Sequence, residues 1–200
     1  MPDFKYSAPS AETRATLKNF GFSVAEVRKL PNDLEKARAV MSWAHKQWRH
    51  DGANDPGTTD PKTILLKAKA GQQFRCVEFS VMVAAAAGAA GLGGRVVGLR
   101  RADVETAEVG AGHVVGEIYL ADIKKWVMAD AQFGFIPMAN AKPLEWVAPC
   151  MYYVSIRLDQ RLEVNPRSFN HVVLIPITER SVFDSAPKNS ATANTSSNDT

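Results

Sequence analysis

Two hundred residues, 46% hydrophobic and 22% charged, give room for one globular domain with a substantial core. A net charge of +3, with no run of Lys and Arg longer than two, lacks the basic stripe of a nucleic-acid binder, so no nucleic-acid partner is expected. Two cysteines, Cys76 and Cys150, are too few for a disulfide scaffold or a cysteine-rich zinc module.

Residues 1–25 carry Asp3, Lys5, Glu12, Arg14 and Lys18 and no continuous apolar run. They do not read as a secretory signal, and the expected location is cytoplasmic. Residues 10–29 read as one or two short helices interrupted at Gly21. Asp33 to His50 forms the clearest amphipathic pattern, with Leu34, Ala37, Met41, Ala44 and Trp48 at helical spacing. Asp33 is its expected N-cap after Pro31-Asn32. Asp51 to Asp60 is a loop by composition, and Pro61 starts a short helix capped by Asp60, with Ile64, Leu65 and Ala68 on its buried side.

The segment Gly71-Gln-Gln-Phe-Arg-Cys76-Val-Glu-Phe-Ser80 runs from a polar loop into an alanine-rich stretch that ends at Gly91 and Gly93-Gly94. The apolar run around residues 81–92 is too short to span a bilayer, so no membrane insertion is expected. The pattern predicts a buried helix with Cys76 at or just before its first turn. Unsatisfied backbone N–H groups and the positive end of the macrodipole stabilise an anion there, which is what a nucleophilic thiol requires. A Cys76–Cys150 disulfide is the one bridge the composition allows, and it would occupy that thiol.

From residue 94 the pattern changes to strands at 95–99, 112–120, 125–129, 152–158 and 171–178, each β-branched or aromatic-rich and bounded by turns. Helices first and strands second predict an α+β domain in which N-terminal helices and a central nucleophile helix pack on a mainly antiparallel sheet. From Asp184 the chain is Ser, Thr, Asn, Ala and Lys without apolar pattern. This divides it into one domain, 1–183, and a disordered polar tail, 184–200.

A cysteine nucleophile needs a base and a group that orients the base. His113 lies at the start of the strand 112–120, and Asp130 closes Lys125-Trp-Val-Met-Ala-Asp130. Pairing Tyr119 with Lys124 across the intervening turn sets His113 directly opposite Asp130, on one face and about 5 Å apart between Cβ atoms. A slip of one residue would put them on opposite faces.

Each residue alone has an ordinary reading: a small buried Cys, a surface His, a turn-forming Asp. His45 and His50, five apart, do not share a helix face as metal ligands would, and no metal site is expected. Glu78 reads as a helix-start acid that favours the dipole or pairs with a core Arg such as Arg95. Trp43 and Trp48 read as core. Glu117 shares a strand face with His113, which gives it a supporting role behind the histidine. For an oxyanion, the Cys76 backbone N–H is the first candidate donor and the Gln72 or Gln73 side chain the second.

Gln73-Phe-Arg-Cys76-Val-Glu-Phe-Ser80, Gly-Leu-Gly-Gly-Arg95-Val-Val97, Gly112-His113-Val-Val-Gly-Glu117-Ile-Tyr and Trp126-Val-Met-Ala-Asp130 together resemble the core of the transglutaminase-like superfamily, over about residues 34–136. That superfamily includes transglutaminases, bacterial thiol proteases and peptide N-glycanases. The resemblance implies a papain-like core with Cys76, His113 and Asp130 as a catalytic triad, flanked by Glu117, Trp126 and Arg95. The glycine often found before the family cysteine is Arg75 here, and the proline after the family aspartate is replaced by Ala131-Gln132.

The implied activity is a cysteine-dependent amide hydrolase working through an acyl-enzyme, without a cofactor, on a peptide, protein or other amide substrate. Protein-glutamine acyl transfer, acetyl transfer of the arylamine acetyltransferase kind and a catalytically idle binding module are the alternatives. The loops 51–60, 101–111 and 133–149 are expected to shape the cleft. The residues name neither the substrate nor the oligomeric state.

Overall fold

Ser10 and Ser23 open the first two helices. In the computed structural model of the chain, which describes residues 9–100, 112–139, 142–143, 153–156, 162–165 and 175–176, their hydroxyls accept from the Thr13 and Glu26 N–H groups at 3.0 and 3.3 Å. The helices are α1 (Ala11–Asn19) and α2 (Val24–Arg28), with the expected interruption at Gly21 between them.

Helix α3 (Asp33–His45) is capped by Asn32, whose Oδ1 accepts from the Glu35 N–H at 2.9 Å, and not by Asp33 as its position suggests. Asp33 is freed to act at long range. Its carboxylate accepts from the Ala121 and Asp122 N–H groups at 2.9 and 3.3 Å, while its own N–H donates to Asp122 Oδ2 at 3.0 Å. Burial pushes the Asp33 pKa up, but the bonds from Lys36, Asp122 and Ala121 outweigh it and hold the group below its ordinary value.

The helix ends five residues before His50, yet Trp48 stays in the core, edge-on to Phe74 and tilted over Phe79, with ring centroids 5.4 and 4.8 Å apart. The apolar spacing marked a buried face that outlasts the helix. Helix α4 (Pro61–Lys69) forms as expected, with Asp60 accepting from Lys62 and Thr63 and with Ile64 and Leu65 fully buried.

Helix α5 (Cys76–Ala90) is the centre of the domain, and Met82, Val83, Ala86 and Ala87 on it are fully buried. It stops at Gly91, whose φ of +90° supplies the left-handed C-cap that a side chain would resist. Its last carbonyls, Ala89 and Ala90, accept from the Arg28 guanidinium at 3.2 Å.

Against α5 lies a sheet of order β3-β2-β1-β8, made of β1 (Gly93–Arg100), β2 (Gly112–Leu120), β3 (Lys125–Ala129) and β8 (Ile175–Pro176). All its pairings are antiparallel, so the domain is α+β as the sequence predicts. Two further hairpins, β4 (Met138–Ala139) with β5 (Lys142–Pro143) and β6 (Tyr153–Ile156) with β7 (Leu162–Asn165), complete the described elements. β1, β2 and β3 form where strands are expected, β6 and β8 fall within expected strands, and β4, β5 and β7 do not. The tail 184–200, Cys150, the loop 101–111 and, of 133–149, residues 140–141 and 144–149 lie outside the described residues. Among the described residues no helix is long and apolar enough to cross a membrane.

Two glycines set the distance between α5 and the sheet. A Cβ on Gly94 would stand 2.8 Å from the Ala84 carbonyl oxygen and 3.0 Å from Ala84 Cα. A Cβ on Gly116 would stand 2.5 Å from Val83 Cγ1. Val83 Cβ, at 2.7 Å from the Gly116 position, does not move with a rotamer change, and neither it nor the Ala84 backbone gives way without shifting the helix. Gly94→Ala is therefore expected to destabilise by about 1–3 kcal/mol. Thermal unfolding would show it as a lowered midpoint, and an unchanged midpoint would contradict the close approach.

Candidate active site

Cys76 is the first residue of α5, and Arg75 is its N-cap in extended conformation. No Ser, Thr, Asp or Asn caps this helix. Glu78 accepts instead from the Arg75 backbone N–H at 3.1 Å, and the Arg75 guanidinium donates to Glu78 Oε1 at 2.8 Å. Glu78 is thus paired with its neighbour three residues back and not with Arg95, because the cap geometry brings Arg75 over the buried carboxylate.

The same guanidinium donates to Asp55 Oδ2 at 2.8 Å. With Asn54 Nδ2 donating to Gln73 O at 2.6 Å and the Asp51 N–H to Phe74 O at 2.9 Å, it fastens the 51–60 loop along the strand of chain that leads to Cys76. Arg75, where the superfamily often has glycine, is the pin of this latch. The Cys76 thiol is free and half-buried.

His113 is the second residue of β2, opposite Leu99 of β1. Asp130 follows β3 directly and begins a tight turn in which its carbonyl accepts from the Gly134 and Phe135 N–H groups at 2.8 and 3.1 Å. Asp130 Oδ1 accepts from the Phe133 N–H at 3.1 Å, which aims Oδ2 at the sheet. There it meets His113 Nε2 at 2.7 Å. Nε2 is thereby engaged and Nδ1 is left, and Cys76 lies near enough to help raise the His113 pKa.

The structure therefore joins His113 to Asp130, with Cys76 near enough to act on the imidazole, by a register different from the expected one. Leu120 pairs with Lys125 and Gly116 with Ala129, so the hairpin is shifted by two residues from the Tyr119–Lys124 pairing. Its turn is Ala121–Lys124, with Lys124 at φ +55° and its first two N–H groups held by Asp33. A shift of two keeps every side chain on its face. His113 and Asp130 meet diagonally, and the imidazole spans the extra distance.

Burial by itself would lower the His113 pKa. The hydrogen bond His113 donates to Asp130, then the neighbouring Cys76, with the charges of both, outweigh it and raise the value from 6.5 to about 9. Asp130 is itself 3% exposed, so the charge that holds His113 acts with little solvent between them. The ring of Phe133 lies 5.6 Å from that of His113 and is 56% exposed, which makes it an apolar shoulder at the mouth of the site.

Glu117 and Trp126 gather around Arg95, further along β2 than His113. The Arg95 guanidinium pairs with Glu117 and lies 4.1 Å over the Trp126 ring. Burial pushes the Glu117 pKa up and Arg95 pulls against it. Gln72 and Gln73 are exposed in the turn before Phe74, and among the described residues neither side chain makes a hydrogen bond.

Two other features carry no signal in the sequence. Trp48 Nε1 and Gln132 Oε1 are buried polar atoms without partners among the described residues. The helical spacing that marked Trp48 as core says nothing about where its N–H points. Among the described residues no cluster of His, Cys, Asp and Glu could hold a metal ion.

Residues 22–131, more than half of the chain, match the model of the Transglutaminase-like superfamily. Comparison with curated proteins gives no match. Among solved structures the chain is similar to a TGase, at 19% identity over 68% of this chain and 35% of that one, with a TM-score of 0.45. It is also similar to EGTA-treated LapG of Legionella pneumophila, at 17% identity over 67% and 70% of the two chains, with a TM-score of 0.44. A protein from Cytophaga hutchinsonii is similar at 18% identity over 66% of this chain and 45% of its own, with a TM-score of 0.43. The chain thus spans less than half the length of two of these three.

Proposed function

Because the chain belongs to the transglutaminase-like superfamily, we propose that it is a cysteine-dependent amide hydrolase in which Cys76, His113 and Asp130 are the nucleophile, the acid–base and its orienting carboxylate. The observation that carries the reading is the 2.7 Å bond from His113 Nε2 to Asp130, on an imidazole whose pKa the neighbouring Cys76 also helps to raise.

In the acylation step Cys76 and His113 act as an ion pair, the imidazole already holding the proton, and the thiolate sulfur attacks the amide carbonyl. The tetrahedral intermediate collapses with loss of the C–N bond, and the amine leaves with the proton from His113. Water then adds to the thioester, giving its proton to His113 as the C–S bond breaks. The acid is released and the ion pair restored. Asp130 keeps its charge throughout and fixes the ring by Nε2, so that Nδ1 is the atom that exchanges protons with sulfur and substrate.

The oxyanion needs donors that are already in place. The Cys76 backbone N–H, at the first position of α5, has no partner within the helix. Gln72 or Gln73 would have to turn inward to serve as the second donor. The buried Trp48 indole N–H has no acceptor among the described residues, and its ring packs against Phe74 and Phe79, which bracket Cys76 in sequence. An oxyanion would supply that acceptor, which makes Trp48 a third candidate.

Alkylation tests the reading. Iodoacetamide is expected to modify Cys76 on the order of tenfold or more faster than Cys150, measured by mass spectrometry of the digested chain. Equal, slow labelling of both would sink it. Turnover is expected to fall as pH rises through about 9, where His113 loses the proton it must give the leaving amine. The sign for stability is the same. A histidine raised from 6.5 to about 9 stabilises the fold fully below 6.5, and that contribution is lost as pH climbs through about 9. Urea midpoints at pH 6 and pH 10 measure it.

A further inference from the structure

Between the end of α3 and the start of α5, lined by Gln132 and Phe79 two and three residues past Asp130 and Cys76, lies a cleft of about 530 Å³. Its apolar wall is Trp48 and Phe79, the latter one helical turn along α5 from Cys76. Gln132, two residues past Asp130, closes one side with a buried Oε1 that has no partner among the described residues. The rim carries Lys46, Arg49 and His50, all exposed. No carboxylate lines the cleft. The acids nearest in sequence serve their own loop: Asp51 accepts from the Ala53 N–H at 3.0 Å and Asp55 holds Arg75 at 2.8 Å. Among the described residues, Lys46 and Arg49 make no ion pair.

From these observations the geometry points to a substrate subsite in this cleft that takes an acidic side chain, Asp or Glu, carried close to the scissile bond of a peptide. The inference rests on the proposed amide hydrolase and names the kind of substrate it selects. A peptide side chain of that size fits the volume, and its methylenes would lie on Trp48 and Phe79. Its carboxylate would meet two cations that the described part of the fold leaves without an anion. A helix C-terminus attracts cations in any protein, and Lys46 lies at that end of α3. Arg49 and His50 lie beyond the helix, past the reach of its dipole, and still face the same cleft. His45 fixes the cleft's position relative to the site, since its Nδ1–H donates to the Ala131 carbonyl at 2.8 Å, one residue from Asp130.

The test separates recognition from turnover by using the Cys76→Ala chain as a binding protein. A pool of random hexapeptides, blocked at both ends, is passed over it, and bound peptides are read by mass spectrometry. A second pool with free C-terminal carboxylates distinguishes a side-chain acid from a terminal one. The expected result is at least about threefold enrichment of Asp and Glu in the blocked pool, lost when Lys46→Gln and Arg49→Gln are added and reduced by salt. Both substitutions are on exposed side chains, so the chain should remain folded, which circular dichroism checks. No enrichment of acids, enrichment in the free-ended pool alone, or enrichment unchanged in the double variant each overturns the subsite.

Turnover of the bound peptides by the wild-type chain reports on the hydrolase reading separately. Acid-selective binding without turnover would leave the subsite standing and count against the hydrolase. Turnover of neutral peptides with no acid preference would do the reverse.

Discussion

Replacing Cys76 by Ala is expected to remove turnover, by about 10⁵-fold or more, and to leave the fold in place. The size follows from the sulfur's role as the atom that bonds to the substrate: no other thiol stands at this helix start, and His113 with Asp130 has nothing to activate. The fold survives because little depends on the sulfur. Cys76 is half-buried at the first position of α5, and the cap is made by Arg75 and Glu78. Loss of one small polar group there costs about 1 kcal/mol or less.

A second readout goes with the first. The thiol is one of the groups that raise His113 to about 9, so the histidine in Cys76→Ala should titrate at a lower pH, measured by NMR of the imidazole. A cysteine that merely filled space would give the opposite pattern, with lost stability and an unmoved His113.

Asp130→Asn is expected to lower kcat/KM by roughly 10³–10⁴-fold with the chain still folded. The amide is nearly the same shape as the carboxylate, and its oxygen can go on accepting from the Phe133 N–H that Oδ1 now holds at 3.1 Å. The charge is gone, however, and the Asp130 bond is the strongest of the influences that raise His113 against its burial. Without it burial prevails, the imidazole loses its proton at lower pH, and the alkaline limb of the rate profile moves down with it. A variant that kept full activity, or one that lost activity without any change in the pH profile, would remove Asp130 from its assigned role.

The positions of these three residues were legible because each stands at a boundary that local pattern marks. Cys76 sits where a polar loop meets an alanine-rich helix, and His113 and Asp130 sit at the ends of two alternating strands. Their shared face was legible for the same reason, since strand alternation fixes it. The register was not. It depends on Asp33, some ninety residues before the turn it holds, and no local rule relates the two.

The same limit explains Glu78. Its partner was sought among core arginines, whereas the helix start folds Arg75 back over it. It also explains α3, whose apolar spacing continued to Trp48 because the core continues there after the helical hydrogen bonds stop. Contacts made by side chains across distant elements, such as the Arg75–Asp55 latch and the bond from His45 to Ala131, leave no periodic trace in a sequence.

Helix α3 holds the hairpin at two places. At its first residue Asp33 grips the turn that leads into β3, and at its last residue His45 grips the carbonyl just after Asp130. Thirteen residues of helix, about 20 Å of rigid rod, thus splint the strand from one end to the other. A splinted strand cannot slide in register or let its far end swing unless the rod itself detaches. The setting of Asp130 against His113 is in this way governed from the opposite side of the domain, and α3 with β3 forms a single mechanical member that loosens as one piece or stays whole.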